Sequence, residues 1–68
     1  MSARINIIGC GRAASSLARL WWEAGSAEIG EVLNRSEASS RAAVERIGQG
    51  SVATALDAMQ PADYWLIG

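Results

Sequence analysis

The sequence contains no histidine and a single cysteine, and this shortage excludes several kinds of chemistry. A disulfide within the chain is impossible, and a zinc site of the usual cysteine and histidine type is close to excluded, so we expect no metal. No Ser-His-Asp or Cys-His catalytic arrangement can be assembled either. A lone cysteine agrees with a reducing compartment, and we expect a cytoplasmic protein.

Long apolar runs and dense basic clusters are also missing. Arg12, Arg19 and Glu23 interrupt the most apolar part, so no stretch reaches the roughly 20 residues of a membrane helix. Arg4 lies in the first apolar run and a glycine turn follows it, which is unlike a signal peptide. The basic residues are all arginines, and they are spread along the chain rather than clustered. We expect neither a membrane nor a nucleic-acid partner.

The composition is that of one small folded domain. Half of the 68 residues are hydrophobic and the net charge is −1, which is unlike a disordered chain. A core of this size usually needs a disulfide, a metal or a partner for stability. Because the first two are absent from the sequence, we expect a homo-oligomer or a part of a longer protein.

Strand and helix patterns alternate along the chain. Short apolar runs predict four strands, at 4–8, 28–33, 49–53 and 64–67. Helical spacing predicts two long helices and one short one, at 13–24, 37–47 and 55–59. This alternation predicts an α/β fold, the first half of a Rossmann-type parallel sheet with strand order 3-2-1-4. Both long helices then cover one face, and Asn6 is the one polar residue inside the first strand.

The helix ends and faces carry further signals. Ser36 and Thr54 are placed to cap the second and third helices, and Gly25 and Gly48 to end the first and second. Trp22 lies off the apolar side of the first helix and is the better candidate for contact with a missing domain or subunit; in the alternative, it is a single exposed tryptophan without such a role. Two adjacent apolar stripes of the first helix are expected to form one broad buried face: Ala14, Leu17, Ala18 and Trp21, and Ala13, Leu17, Leu20 and Ala24.

The turn between the first strand and the first helix fits the pattern G-x-G-x-x-G/A over residues 9–14. In a dinucleotide-binding turn the first glycine makes the tight bend, and the second lets the backbone approach the diphosphate. The third small residue lets the helix pack on the strand, and the helix N-terminus attracts the anion. The pattern predicts dinucleotide binding. In the alternative interpretation, the glycines only make a tight turn.

The residues after the second strand indicate which dinucleotide. Asn34 stands about 20 residues after Ala14, where NAD-binding folds place an acid against the ribose. A carboxylate would repel a 2′-phosphate, whereas Arg35 with neighbouring amide and hydroxyl donors would hold one. We therefore predict NADP. In the alternative, Arg35 is a solvated loop residue and Ser36 only caps a helix.

Two other residues of the glycine turn have more than one interpretation. Cys10 precedes a helix N-terminus, which favours a reactive thiol, but a small side chain that fits between two glycines is the simpler account. Arg12 either contacts a phosphate or extends into solvent. Asp57 and Asp63 have no polar partner in the sequence and are interpreted as a cap and a turn residue.

Three segments, "INIIGCGRAASSLA", "NRS" and "ADYWLIG", resemble the N-terminal domain of the pyrroline-5-carboxylate reductase and 6-phosphogluconate dehydrogenase superfamily. The resemblance extends over nearly the whole chain. It implies that one NADP(H) molecule is contacted by two groups of residues. The diphosphate residues would be Gly9, Cys10, Gly11, Arg12, Ala13 and Ala14, and the 2′-phosphate residues Asn34, Arg35 and Ser36.

In such families a further sheet segment and a helical C-terminal domain supply dimerisation and most substrate and catalytic groups. We therefore expect residues 1–68 to be a partial NAD(P)-binding Rossmann domain from the N-terminal part of a longer protein. No catalytic residue is assigned, and the chain alone is not expected to be active. The expected function is the NADP(H)-binding portion of an oxidoreductase that transfers hydride to or from a small carbonyl, imine or hydroxy-acid substrate. The alternatives are a non-catalytic dinucleotide-binding sensor or interaction module, and a fold without a working site.

Overall fold

The computed structural model describes residues 3–68 as one layer of strands with two helices packed on it. The elements are β1 (Ala3–Ile8), α1 (Arg12–Glu23), β2 (Ala27–Leu33), α2 (Glu37–Ile47), β3 (Ser51–Val52), a short 3-10 helix (Leu56–Ala58) and β4 (Tyr64–Ile67). All neighbouring strands are parallel, in the order β3-β2-β1-β4. The predicted fold class and strand order are confirmed, although β3 is shorter than the predicted run.

The core lies between the sheet and the two long helices. Alternate residues of β1 point to this side, and Ile7 is fully buried there together with Val32 of β2. Burial of side chains of this size contributes about 1.5–3 kcal/mol each. The helices bring small and branched residues to the same cluster: Ala18 from α1, and Ala43 and Ile47 from α2.

Asn6, the polar residue in β1, is fully buried and stabilises an irregularity in the sheet. The register with β2 shifts between Ile5 and Ile7, so that β2 has one extra residue opposite Asn6. Asn6 Oδ1 accepts the backbone N–H of Glu31 (2.9 Å), and its Nδ2 donates to the Gln60 carbonyl (2.7 Å). One side chain therefore pairs a bulged backbone group and holds the loop that crosses the other face of the sheet.

The prediction of one broad buried face on α1 is confirmed for only part of that face. Ala14 and Trp21, from the first stripe, pack against the core. Leu17, which belongs to both stripes, and Leu20, from the second, are 41% and 64% exposed. The reason is that α1 packs against β2 on one side and α2 on another, and no other described element covers its remaining side.

Trp22, the candidate for contact with a missing domain or subunit, is half-buried and has a role within the described chain. Its indole Nε1 donates to the carbonyl of Ile47 (2.6 Å), and its ring lies against Gly48. The carbonyl groups in the last turn of a helix receive no hydrogen bond from within the helix. The Trp22 indole N–H supplies one of these missing donors at the end of α2. Trp22 thus joins α1 to α2 within the domain.

The helix ends agree with the sequence at α2 and differ at the short helix. Ser36 caps α2 as predicted, and Gly48 ends it in the left-handed conformation with φ of +90°. The predicted cap at Thr54 is wrong, because the 3-10 helix starts after Ala55 and has no side-chain cap. Three residues of 3-10 helix do not create the several unpaired N–H groups that a capping side chain serves in a longer helix.

Candidate functional site

Two short turns lie side by side at one edge of the sheet. The first, residues 9–11, leads from β1 into α1 and is called the glycine turn below. The second, residues 34–36, leads from β2 into α2 and is called the Asn34 turn. β1 and β2 are parallel neighbours, so both turns stand at the carboxyl ends of their strands. Ligands of open α/β sheets bind at this edge.

Gly9 is required by the fold itself. Its φ of +76° lies in the left-handed region, which side chains other than glycine rarely adopt. A Cβ at this position would stand 2.8 Å from the carbonyl oxygen of Gly68, which is a backbone atom. The backbone N–H of Gly9 also donates to the Leu33 carbonyl (2.9 Å) and so links the end of β1 to that of β2.

Gly11 is different, because nothing within the described chain requires a glycine there. Its φ of −92° and ψ of −164° are extended backbone angles that most residues adopt. Apart from its neighbours along the chain, no atom of residues 3–68 lies within 4 Å of the place where a Cβ would stand. Neither backbone conformation nor packing therefore accounts for the missing side chain.

The N-terminus of α1 is open. Gly11 is its N-cap residue, no side chain caps the helix, and no acidic residue stands in the first turn. The first helical hydrogen bond runs from the Ser15 N–H to the Gly11 carbonyl (2.9 Å). The N–H groups of the three preceding residues have no acceptor within the helix, and the positive end of the helix dipole adds to them. Ala14 packs on the core, as the third small position of the pattern requires.

Asn34 holds the two turns together. Its side-chain Oδ1 accepts the N–H of Cys10 (2.5 Å), and its Nδ2 donates to the carbonyls of Cys10 (2.9 Å) and Ser39 (3.2 Å). Its own backbone N–H donates to Ser40 Oγ (2.7 Å). The sequence analysis placed Asn34 at the 2′-phosphate, whereas in this structure its amide is engaged by the protein.

Cys10 turns its side chain inward. It is 3% exposed, belongs to the core cluster, and its Sγ lies 3.2 Å from the Oγ of Ser15. Ser15 is also buried and donates to the Gly11 carbonyl (2.7 Å). This placement agrees with the simpler interpretation of Cys10 as a small residue that fits the turn. Ser15 was missed by the sequence analysis, although a serine four residues after a turn carbonyl is a common back-bonding position.

Arg35 and Ser36 are exposed beside the glycine turn. Arg35 lines a cleft of about 340 Å³ together with Ile8, Gly9, Leu33 and Asn34. Arg12 does not line that cleft and instead faces a separate hollow between α1 and α2. The structure thus brings Gly9 of the glycine turn and Arg35 to one cleft, and it places Arg12 at a different hollow.

Within residues 3–68, no group of histidine, cysteine, aspartate or glutamate side chains is arranged to hold a metal ion. In the same part of the chain, no helix has the length and apolar character needed to cross a bilayer.

Comparison with known proteins gives one match. A family model described as "NADP oxidoreductase coenzyme F420-dependent" matches residues 4–68, which include both turns and all the strands from Arg4 onward. No curated protein and no solved structure gives a significant match. The family model agrees with the resemblance drawn from the sequence and with the order of the parallel strands. The chain belongs to this family, and it forms a Rossmann-like dinucleotide-binding domain of the NADP oxidoreductase type.

Proposed function

We propose that the two turns bind NADP(H) and that the chain is the cofactor-binding portion of an oxidoreductase. The observation that carries this proposal is Gly11, where the fold does not require the absence of a side chain. A ligand that approaches the backbone there does require it, and in dinucleotide-binding turns this ligand is the diphosphate. Family membership independently supports a dinucleotide.

The residues of the glycine turn fit a diphosphate. The first-turn N–H groups of α1 have no helical acceptors, and no carboxylate stands in that turn to repel an anion. Gly9 makes the bend, and Asn34 fixes the turn by holding both the N–H and the carbonyl of Cys10. A turn held in one conformation loses less entropy when it binds a ligand. In our proposal Asn34 therefore positions the turn.

The preference for NADP rests on Arg35. Its guanidinium is exposed at the cleft, and it forms no ion pair within residues 3–68. The acidic residue near it, Glu37, pairs with Arg41 (2.8 Å), which reduces repulsion of a 2′-phosphate. Arg35 would bind this phosphate by charge-assisted hydrogen bonds, and the exposed hydroxyl of Ser36 would add a further donor.

The reaction we propose is hydride transfer to or from a small carbonyl, imine or hydroxy-acid substrate. When bound, the nicotinamide supplies the hydride chemistry, and the described residues bind and orient the cofactor. No described residue stands at the turns as a proton donor with a suitable partner. We propose, as the resemblance to the reductase and dehydrogenase superfamily implies, that the substrate-binding and catalytic groups belong to a C-terminal domain of a longer protein.

Calorimetric titration with NADP and, separately, NAD tests the cofactor assignment. We expect NADP to bind at least tenfold more tightly than NAD, and Arg35→Ala to remove most of that difference, which corresponds to about 1.4 kcal/mol. Gly11→Val should abolish binding of both while the domain stays folded, because the backbone angles of Gly11 are extended and the space for its Cβ is open.

The matched control is Arg41→Ala. Arg41 is also an exposed arginine near the start of α2, but it is paired with Glu37 and does not line the cleft that Arg35 lines. If Arg41→Ala lowers NADP affinity as much as Arg35→Ala, the preference is a general charge effect and the assignment of Arg35 is wrong. If Gly11→Val binds NADP as the parent chain does, the diphosphate is not at the glycine turn.

A further inference from the structure

A hollow of about 450 Å³ lies between the outer sides of α1 and α2, apart from the cleft at the two turns. Four of its lining residues come from one side of α1 and a fifth from the last turn of α2. They are Arg12, Ser15, Ser16, Arg19 and Arg46. Positions three and four residues apart on a helix are neighbours, so the α1 residues form a continuous polar strip.

The hollow concentrates positive charge in a chain that is acidic overall. Three of the six basic residues line it, and no carboxylate does, although the net charge of the chain is −1. Arg19 is paired outside the lining of the hollow, since its Nε donates to Glu23 Oε2 (3.2 Å). Like charges that converge on one space repel each other, and an anion between them would remove this repulsion.

The arginines are partly held in place and keep unused donors. Arg46 Nε donates to Ser15 Oγ (3.3 Å), and Arg19 Nη1 donates to the Arg46 carbonyl (3.3 Å). Among the hydrogen bonds of residues 3–68, none uses the terminal nitrogens of Arg46 or the guanidinium of Arg12. Ser16 adds an exposed hydroxyl to the same strip.

We propose that this hollow is a second anion site, which binds a phosphate-bearing group such as a diphosphate or a phosphate monoester. Guanidinium groups match the oxygens of a phosphate in a bidentate manner, and several of them around one space select a multiply charged anion. The site uses Arg46 and the outer side of α1, and it requires neither Gly11 nor Arg35. It is therefore separate from the proposed cofactor site and does not depend on it.

The test is a titration of the isotopically labelled full chain with inorganic pyrophosphate, followed by two-dimensional NMR of backbone amides and arginine Nε–H groups. We expect saturable shifts at Ser15, Ser16 and the Nε–H groups of Arg19 and Arg46. Arg46→Gln should weaken this response at least tenfold. The matched control Arg41→Gln removes the same charge from the same helix outside the hollow and should change the response less than twofold.

Arg46→Lys provides a second variant in case the loss of the Ser15 contact disturbs folding. It keeps the positive charge and removes the planar guanidinium group. We therefore expect its affinity for pyrophosphate to lie between that of the parent chain and that of Arg46→Gln. Shifts confined to residues 9–14, or equal weakening by Arg46→Gln and Arg41→Gln, would overturn the proposal. NADP binding, measured in parallel, should be unchanged in Arg46→Gln. Failure of the cofactor site would appear as loss of NADP binding with the pyrophosphate response intact.

Discussion

The two turns at the sheet edge differ in how they begin the helix that follows. At α2, Ser36 Oγ accepts the N–H of Ser39 (3.1 Å), Ser39 Oγ accepts the N–H of Ser36 (3.3 Å), and Glu37 stands in the first turn. At α1 there is neither a capping side chain nor an acid. The chain thus satisfies the N-terminus of α2 with its own side chains, whereas no side chain within residues 3–68 caps the N-terminus of α1.

The glycine turn itself contains a second contrast, between a glycine that the fold needs and one that it does not. We expect Gly9→Ala to lower the free energy of unfolding by about 2–3 kcal/mol, because a side chain at positive φ is strained and would meet the Gly68 carbonyl. Gly11→Ala should change it by less than about 1 kcal/mol, in either direction. Urea unfolding of both variants measures the difference. Equal losses would mean that Gly11 is also structural.

The connection between the turns depends on Asn34. Asn34→Ala should lower the free energy of unfolding by about 2 kcal/mol, because it removes the hydrogen-bond partners of the Cys10 N–H and carbonyl. NADP affinity should fall with it, since the glycine turn is no longer held. Asn34→Asp keeps the acceptor for the Cys10 N–H and loses the donors, so thermal and chemical unfolding should place it between the parent and the alanine variant. An alanine variant as stable as the parent would contradict the role of Asn34 as a clamp.

The cap of α2 gives a smaller effect. Ser36→Ala should lower the free energy of unfolding by about 1 kcal/mol, the usual cost of losing an N-cap side chain. Ser36→Asp should restore that stability, because aspartate also caps, and should weaken NADP relative to NAD, because its carboxylate repels a 2′-phosphate. Unfolding and calorimetry on the same samples separate the two effects. If Ser36→Asp kept the parent preference for NADP, the 2′-phosphate would not lie at the Asn34 turn.

The smallest effect is expected from placing an acid in the first turn of α1, where α2 has one and α1 has none. Ala13 is exposed in the first turn of α1, and Ala13→Glu would supply the acid that α2 has and α1 lacks. We expect a gain of about 0.3–1 kcal/mol in the free energy of unfolding from the helix dipole, together with weaker NADP binding. Ala13→Gln, which is nearly the same size and neutral, should show neither change. A Glu variant that bound NADP as tightly as the Gln variant would argue against an anion at this helix end.

Local signals in the sequence predicted most of the fold. Alternating strand and helix patterns led to the parallel order 3-2-1-4, and the Ser36 cap and the Gly48 stop followed from residue type and position. The cap and the stop depend on interactions within a few residues, and the strand order follows from the alternation of elements and the fixed hand of the crossover connections. Thr54 shows the limit of this approach, since a capping residue is of use only where a helix of sufficient length follows.

Long-range contacts explain what the sequence analysis missed. Trp22 lies off the apolar stripe of α1, yet its side chain donates a hydrogen bond to the end of α2. Leu20 lies on an apolar stripe, yet its side chain is exposed. Helical spacing predicts which side chains share a face, but it does not predict which neighbour, if any, lies opposite that face. The contact between Arg46 and Ser15, 31 residues apart, has no sequence signal at all.

The sequence by itself determined the glycine turn, the alternation of elements and therefore the class of ligand, because each follows from short-range patterns of residue type. Only the tertiary structure distinguished Gly9 from Gly11 and showed that the Asn34 side chain bonds the backbone of the glycine turn. It also separated Arg12 from Arg35, which line different cavities. The physical reason is that a backbone angle, an unoccupied space or a buried hydrogen bond depends on atoms that packing brings together from distant parts of the chain.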